Sequence, residues 1–271
     1  MTRNITRALG LVGLILASLA AAGSAAASDR PPGALTACVV GDNPPFSSAS
    51  AEGRGGIDVD VAQLIAQQIG RELRLQWVRV PARGGIGRAL KESIQSGTCD
   101  VFLGVPDAQE MATELREHHL ASTRPYLAVG YLLVSPPGSK PATIREARRV
   151  KRLGASTATP ADLFLYKEHF NRVPYGNNRD LLVALCNGEI DMALAWSPAI
   201  ATLRAGGSGA QIVIASEQPD DRSLRTGLAI ATRLDDSEMT RQIDLAIQRL
   251  QADGSFANLA DRHGLPYMAP Q

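Results

Sequence analysis

Gly56-Ile57-Asp58-Val59-Asp60-Val61-Ala62-Gln63-Leu64-Ile65-Ala66-Gln67-Gln68-Ile69-Gly70 is the stretch that decides the fold. Gly55 and Gly56 supply the free backbone dihedrals of a turn, and Asp58 is placed to cap a helix N-terminus with its carboxylate. Apolar residues at 57, 61, 64, 65 and 69 form one stripe at helical spacing before Gly70 ends the run. Downstream, Leu73 to Val80 alternates with period two and predicts a strand; upstream, Leu35 to Val40 is a short apolar strand. Strand, helix and strand at this spacing predict a right-handed βαβ unit.

Working outward, the loop Gly41-Asp42-Asn43-Pro44-Pro45-Phe46-Ser47 cannot be helical, because of its paired prolines. In a parallel α/β sheet such a loop sits at the carboxyl end of its strand, where ligands bind. A helix over 88–96 and a buried strand from Cys99 to Val105 follow, then a polar stretch to His119 and an apolar strand over 127–134. Beyond Pro136-Pro137-Gly138 a second α/β unit begins. Its helices are predicted over 143–149, 161–170, 178–187 and 198–205. Its strands fall at 152–156, 173–175, 190–195 and 211–215, with 173–175 at an edge because of Pro174. Strand 226–231 returns the chain to the first unit, and helices over 237–252 and 256–263 close it. Repeated βα units predict doubly wound sheets.

At the N-terminus, Arg3 and Arg7 precede an apolar run from Ala8 to Gly23, and Ala25-Ala26-Ala27 offers a small-residue cleavage site. The run is short against the ~20 residues a membrane span needs, so 1–27 reads as a signal peptide. Its removal takes two arginines and moves the formal charge from +1 to −1. With 28 basic and 27 acidic residues and 4% aromatics, there is neither the basic excess nor the aromatic-basic face of a nucleic-acid reader. Export makes a Cys38–Cys99 disulfide possible if their strands are neighbours; two buried free thiols are the alternative. Cys186 reads as a packing residue.

Several segments together resemble the bacterial extracellular solute-binding proteins of family 3. The 56–70 helix is one; the others are the segments 88–101, 123–126 (Thr123-Arg124-Pro125-Tyr126), 182–191, 228–231 (Leu228-Ala229-Ile230-Ala231) and 250–256. The likeness implies a type II periplasmic-binding-protein fold, α/β, with two doubly wound sheets joined by a two-strand hinge. It places lobe 1 at 29–128 plus 228–271 and lobe 2 at 129–227, in the periplasm. A narrower likeness lies in Cys38, the Asn43-Pro44-Pro45-Phe46-Ser47 loop, Cys99-Asp100-Val101-Phe102-Leu103-Gly104-Val105-Pro106 and Thr123-Arg124-Pro125-Tyr126-Leu127. These resemble the binding-protein-like partners of quinoprotein methanol dehydrogenases, implicated in maturation or activation of those enzymes.

Amino-acid binders of the family hold the α-carboxylate with an arginine after a lobe-1 strand and the ammonium with an aspartate after a lobe-2 strand. Arg116 stands at about the arginine's spacing, with Arg124 as a rival, but Trp196 occupies the expected acid position. Asn43 stands where a loop aromatic is expected, followed by Phe46, and Gly104-Val105-Pro106 replaces a hydroxyl-bearing segment. Ser156, Thr157 and Thr159 are candidate donors from lobe 2. Trp196, Phe46 and Tyr126 are candidate anchors for a partner protein. No metal-ligand spacing, nucleophile motif or acid–base pair appears, so no enzyme, metal or cofactor is expected; a dehydratase-like enzyme on the same fold is the remote alternative that the resemblance leaves. The partners expected are a small polar solute or a quinoprotein dehydrogenase, with an ABC permease in the transport version, and a monomer when free.

Overall fold

The computed structural model describes residues 33–50, 53–207 and 211–270, so the expected signal peptide lies outside the described residues. The first lobe opens with β1 (Ala34–Val40), a small β2–β3 ladder (Asp42–Asn43, Ser47–Ser48), α1 (Ile57–Gln68) and β4 (Glu72–Val78). It continues through α2 (Gly85–Leu90), β5 (Val101–Asp107), α3 (Gln109–Glu117) and β6 (Leu120–Ser122). The crossing strand β7 (Leu127–Ser135) leads to the second lobe. There α4 (Ile144–Ala147), β8 (Leu153–Ser156), α5 (Pro160–Lys167) and β9 (Arg172–Tyr175) precede α6 (Asn178–Cys186) and β10 (Met192–Trp196). After α7 (Ser197–Ala205) and β11 (Val213–Ile214), β12 (Arg225–Arg233) returns to the first lobe, where α8 (Ser237–Ala252) and α9 (Ser255–Arg262) end the helical part.

The founding βαβ unit forms as its spacing predicts. β1 lies parallel between β4 and β5, with Leu35 opposite Leu73 and Ala37 opposite Val101. Such a strand is covered on both faces, which is why it is almost wholly apolar. Leu35, Ala37 and Val39 meet Ile57, Val61, Ala62, Ile65 and Ala66 of α1 in the first core. Leu64 and Ile69, expected in the same stripe, are only partly buried at its margin.

The N-terminus of α1 departs from expectation. Gly56 is the capping residue, in a left-handed φ of 127°, and no side chain caps the helix. Asp58 turns inward instead and is 2% exposed. A Cβ at Gly56 would overlap the Phe46 carbonyl and come within 2.9 Å of Pro45 O. We therefore expect Gly56→Ala to cost about 2 kcal/mol or more, from strain plus displacement of the 44–46 loop. Urea unfolding checks this; an unchanged midpoint would show that the loop yields freely.

The hydrogen-bonded strand order is β4-β1-β5-β12-β7-β10-β8-β9, with β9 at an edge. The two sheets are joined, as the two-strand hinge implies, through the antiparallel β7–β12 ladder, from Arg225 opposite Gly130 to Leu228 opposite Leu127. Both sheets are mixed: β12 runs against β5, and β7 against β10. The reason is connectivity, since a chain that leaves along β7 and returns along β12 must reverse direction.

Besides β12, three segments tie the lobes together. β7 gives Leu127 and Val129 to the first core and Leu132 and Val134 to the second. Helix α7 sends Ala201 to the first core and Ile200 to the second. The tail does likewise with Leu265 and Met268, and the Ala128 amide donates to Met268 O at 3.2 Å.

Of the two states open to Cys38 and Cys99, the structure has the disulfide, with Cα atoms 5.8 Å apart. It lies in an apolar cluster with Leu90, Ile94, Phe102, Leu115 and Leu120. Cys186 on α6 is a free thiol, and burial pushes its pKa up.

Candidate functional site

The carboxyl ends of β1 and β10 bring the two lobes to one cavity of about 440 Å³. Asn43, Pro44 and Phe46 line it from the loop after β1; Trp196, Arg179, Leu182 and Leu203 line it from the second lobe. Pro198 at the start of α7 fixes the turn that leaves Trp196 at the rim, since a proline in the first turn forfeits no intrahelical hydrogen bond. The Trp196 indole lies 4.9 Å, centroid to centroid, from the Tyr131 ring at an interplanar angle of 48°. Its backbone N–H points at Asn178 Oδ1, 3.5 Å away at the limit of hydrogen bonding. Arg179 is the one charged group lining this cavity, exposed at the start of α6, with no ion-pair partner among the described residues. Among the described residues the walls are therefore mainly apolar, with Asn43 and Thr202 as neutral polar groups, one cation and no carboxylate.

The sequence candidates divide sharply. Asn43, Phe46 and Trp196 converge on the cavity, although Phe46 is only 8% exposed and serves the first core as well. Arg116 and Arg124 do not reach it. Arg116 is exposed on α3 and its guanidinium comes no nearer than 3.5 Å to Thr113 Oγ1. Arg124 contributes its backbone amide, which donates to Asp244 Oδ1 at 2.7 Å and pins the segment to α8; its side chain is exposed. Neither candidate for the carboxylate-holding arginine therefore lines this cavity: α3 is largely exposed on its lobe, and the 123–126 segment packs against α8.

Tyr126, expected as an anchor for a partner, is fully buried and offers no surface. Its hydroxyl donates to Asp58 Oδ1 at 2.6 Å and accepts from the Gly104 amide. Asp58 Oδ2 lies where a Cβ on Gly104 would be 2.9 Å away, so a side chain there would displace the carboxyl. Burial pushes the Asp58 pKa up to about 7, against the lowering effect of the Tyr126 hydrogen bond. Burial and the neighbouring Asp58 carboxylate raise the Tyr126 pKa well above that of an ordinary phenol, so Tyr126 keeps its proton.

From the second lobe, Thr157 turns toward its own backbone: amide and hydroxyl both donate to Tyr175 O, at 2.8 and 3.2 Å. Thr159 caps α5 by accepting from the Asp162 amide and donates to Ser156 O at 2.7 Å. Ser156 Oγ is buried with no hydrogen-bond partner among the described residues. Sequence reasoning missed Arg179 and Tyr131. Arg179 follows Asn177 and Asn178, which mark a helix start and nothing more, and Tyr131 lies within an ordinary apolar strand. Among the described residues no group of three or more His, Cys, Asp or Glu side chains is placed to hold a metal ion. No helix of the described residues is long and apolar enough to cross a membrane.

Two mixed sheets, a two-strand crossing and a cleft at the strand ends define a type II periplasmic-binding-protein fold. The chain belongs to the bacterial extracellular solute-binding proteins, family 3, whose profile matches residues 35–266. ABC transporter arginine-binding protein 1 of Escherichia coli K12 is 22% identical over 223 residues, 81% of this chain and 86% of that protein. The second substrate-binding domain of Lactococcus lactis GlnP, in its open conformation, superposes with a TM-score of 0.69 at 20% identity, covering 89% of this chain and 99% of that domain. MxaJ from Methlophaga aminisulfidivorans MPT superposes with a TM-score of 0.58 at 19% identity, covering 86% of this chain and the whole of that one.

Proposed function

We propose that this is a non-catalytic periplasmic binding protein that serves the maturation or activation of a quinoprotein methanol dehydrogenase, through its cleft or rim. One observation carries the reading. Where an amino-acid receptor needs an anion for the ammonium group, this cavity presents Trp196, and Arg179 is its single charged lining residue among the described residues. A zwitterion placed there leaves its ammonium desolvated without a counter-charge, a cost of several kcal/mol. The same walls suit contact with protein: an exposed edge of Trp196 and an arginine are the residue types that dominate interface hot spots. The loop and strand motifs shared with methanol dehydrogenase partners, and the common fold of MxaJ, agree with this assignment.

The second reading is the solute-binding component of an ABC transporter for a polar amino acid or other small polar solute. It is favoured by arginine-binding relatives that match four-fifths of the chain. A ligand would then close the lobes by binding the closed state preferentially, for a permease to recognise.

A thermal melt against amino acids, organic acids and polyamines separates the two. A ligand at a hundred times its dissociation constant adds about 2.7 kcal/mol, a shift of several degrees. We expect no shift with any amino acid and co-purification with a quinoprotein dehydrogenase. A clear stabilisation by arginine or another amino acid would sink the maturation reading.

A further inference from the structure

A second cavity, of about 590 Å³, lies beside the first and shares Pro44 with it. Its walls come from residues 44–48 and 53–56 and from the C-terminal ends of α7 and α9. Among the described residues Arg54, Arg204 and Arg262 line it together with a single acidic residue, Asp261; the Arg54 guanidinium also lies 5.6 Å from the centroid of the Trp77 ring. His263 also lines the cavity, but its Nε2 is 2.8 Å from Asp60 Oδ2 and so already has a partner.

Two lining residues carry buried polar atoms with no hydrogen-bond partner among the described residues. One is Ser47 Oγ, in a residue only 1% exposed; the other is Arg204 Nε. The outer nitrogens of Arg204 are turned to carbonyls, Nη1 to Gly264 O at 3.2 Å and Nη2 to Ile212 O at 3.5 Å, which leaves the Nε–H over. Burial lowers the Arg204 pKa and Asp261 only partly offsets it, so this cation is short of negative charge. A buried donor without an acceptor is costly, and a partly desolvated guanidinium is costlier.

We propose that this cavity binds an oxyanion, the phosphate or carboxylate group of a small solute, through Arg204 and Ser47, with Arg54 and Arg262 at the rim. An oxyanion supplies acceptors to both orphaned donors and balances the surplus of two positive charges among the lining arginines and aspartate. Because α7 reaches into both cores, the bound group would bridge residues 44–48, residues 53–56 and α9 on one side and α7 on the other. Neither Trp196 nor Arg179 takes part, so the site stands whether or not the dehydrogenase assignment does.

Calorimetric titration of the protein in Tris–chloride, first with inorganic phosphate and then with citrate, tests this. Saturable binding of at least one is expected, weakened roughly tenfold by Ser47→Ala or by Arg262→Gln. Ser47→Ala removes a hydroxyl that has no partner, so melting in anion-free buffer should not fall; lost binding is thereby separated from lost folding. Binding of phosphate alone assigns a phosphorylated solute, and of citrate alone a carboxylate. Absence of saturable binding by both, or unchanged affinity in both variants, overturns the proposal.

Discussion

Reduction of the Cys38–Cys99 bridge is expected to lower the melting temperature by roughly ten degrees. The bridge closes a loop with a sequence separation of 61. In the chain-entropy account, a loop of that length restricts the unfolded chain by about 4 kcal/mol. For a chain of this size each kcal/mol shifts the melt by roughly 2–4 °C. Within the loop lie α1 and β4, so it fastens the founding βαβ unit to β5. Calorimetry with and without reductant measures the shift, and the Cys38→Ala/Cys99→Ala double variant guards against a reductant that cannot reach a fully buried bond. An unchanged melt in the double variant would show that the unfolded state was already compact over this region.

Asp58 carries the second large effect, on pH dependence. In the unfolded chain its carboxyl titrates near 3.8; in the folded protein burial raises it to about 7. Between these values the folded state holds a proton that the unfolded chain has lost. The contribution is therefore fully present below pH ~4 and is lost as pH rises through about 7, where the loss amounts to as much as ~4 kcal/mol. Asp58→Asn keeps an oxygen for the Tyr126 hydroxyl and has no charge to bury. We expect the variant to come closest to the wild type at the acid end, near pH 4.5, and to exceed it by several degrees at pH 8. Tyr126→Phe should act the other way, removing the one hydrogen bond that favours the Asp58 carboxylate and leaving its oxygen unsatisfied, at a cost of about 1–3 kcal/mol. Parallel melts from pH 4.5 to 8.5 check the sign, and a variant and wild type that track each other throughout would rule out a buried titrating group.

Asp58 also shows how far sequence reasoning reached. An acidic residue two places after Gly-Gly at a helix start fits a cap, and spacing alone cannot reveal a partner 68 residues away in sequence. The α1 stripe and the βαβ unit were legible because their periodicity expresses which side is buried. Trp196 was legible because a strand end after Glu189-Ile190-Asp191 has a definite place in the fold. Arg116 and Arg124 were not, because where an arginine points depends on which neighbour its element packs against. Arg204 and Ser47 gave no local signal at all: their interest lies in hydrogen bonds left unmade, which only the assembled neighbourhood defines.

The position of β12 bears on the order in which the protein can form. It pairs with both β5 and β7 and is the strand that completes the first sheet, yet it comes after the whole second lobe in sequence. A chain emerging from its N-terminus makes β1, β4 and β5 early, and the edge of β5 stays open until Arg225 to Arg233 has been synthesised. Closure waits on contacts distant in sequence, which are slow to form. The nascent protein therefore remains incompletely folded until its synthesis is nearly done, a delay suited to a polypeptide threaded through a narrow pore and harmful to one that lingers near others with exposed strand edges.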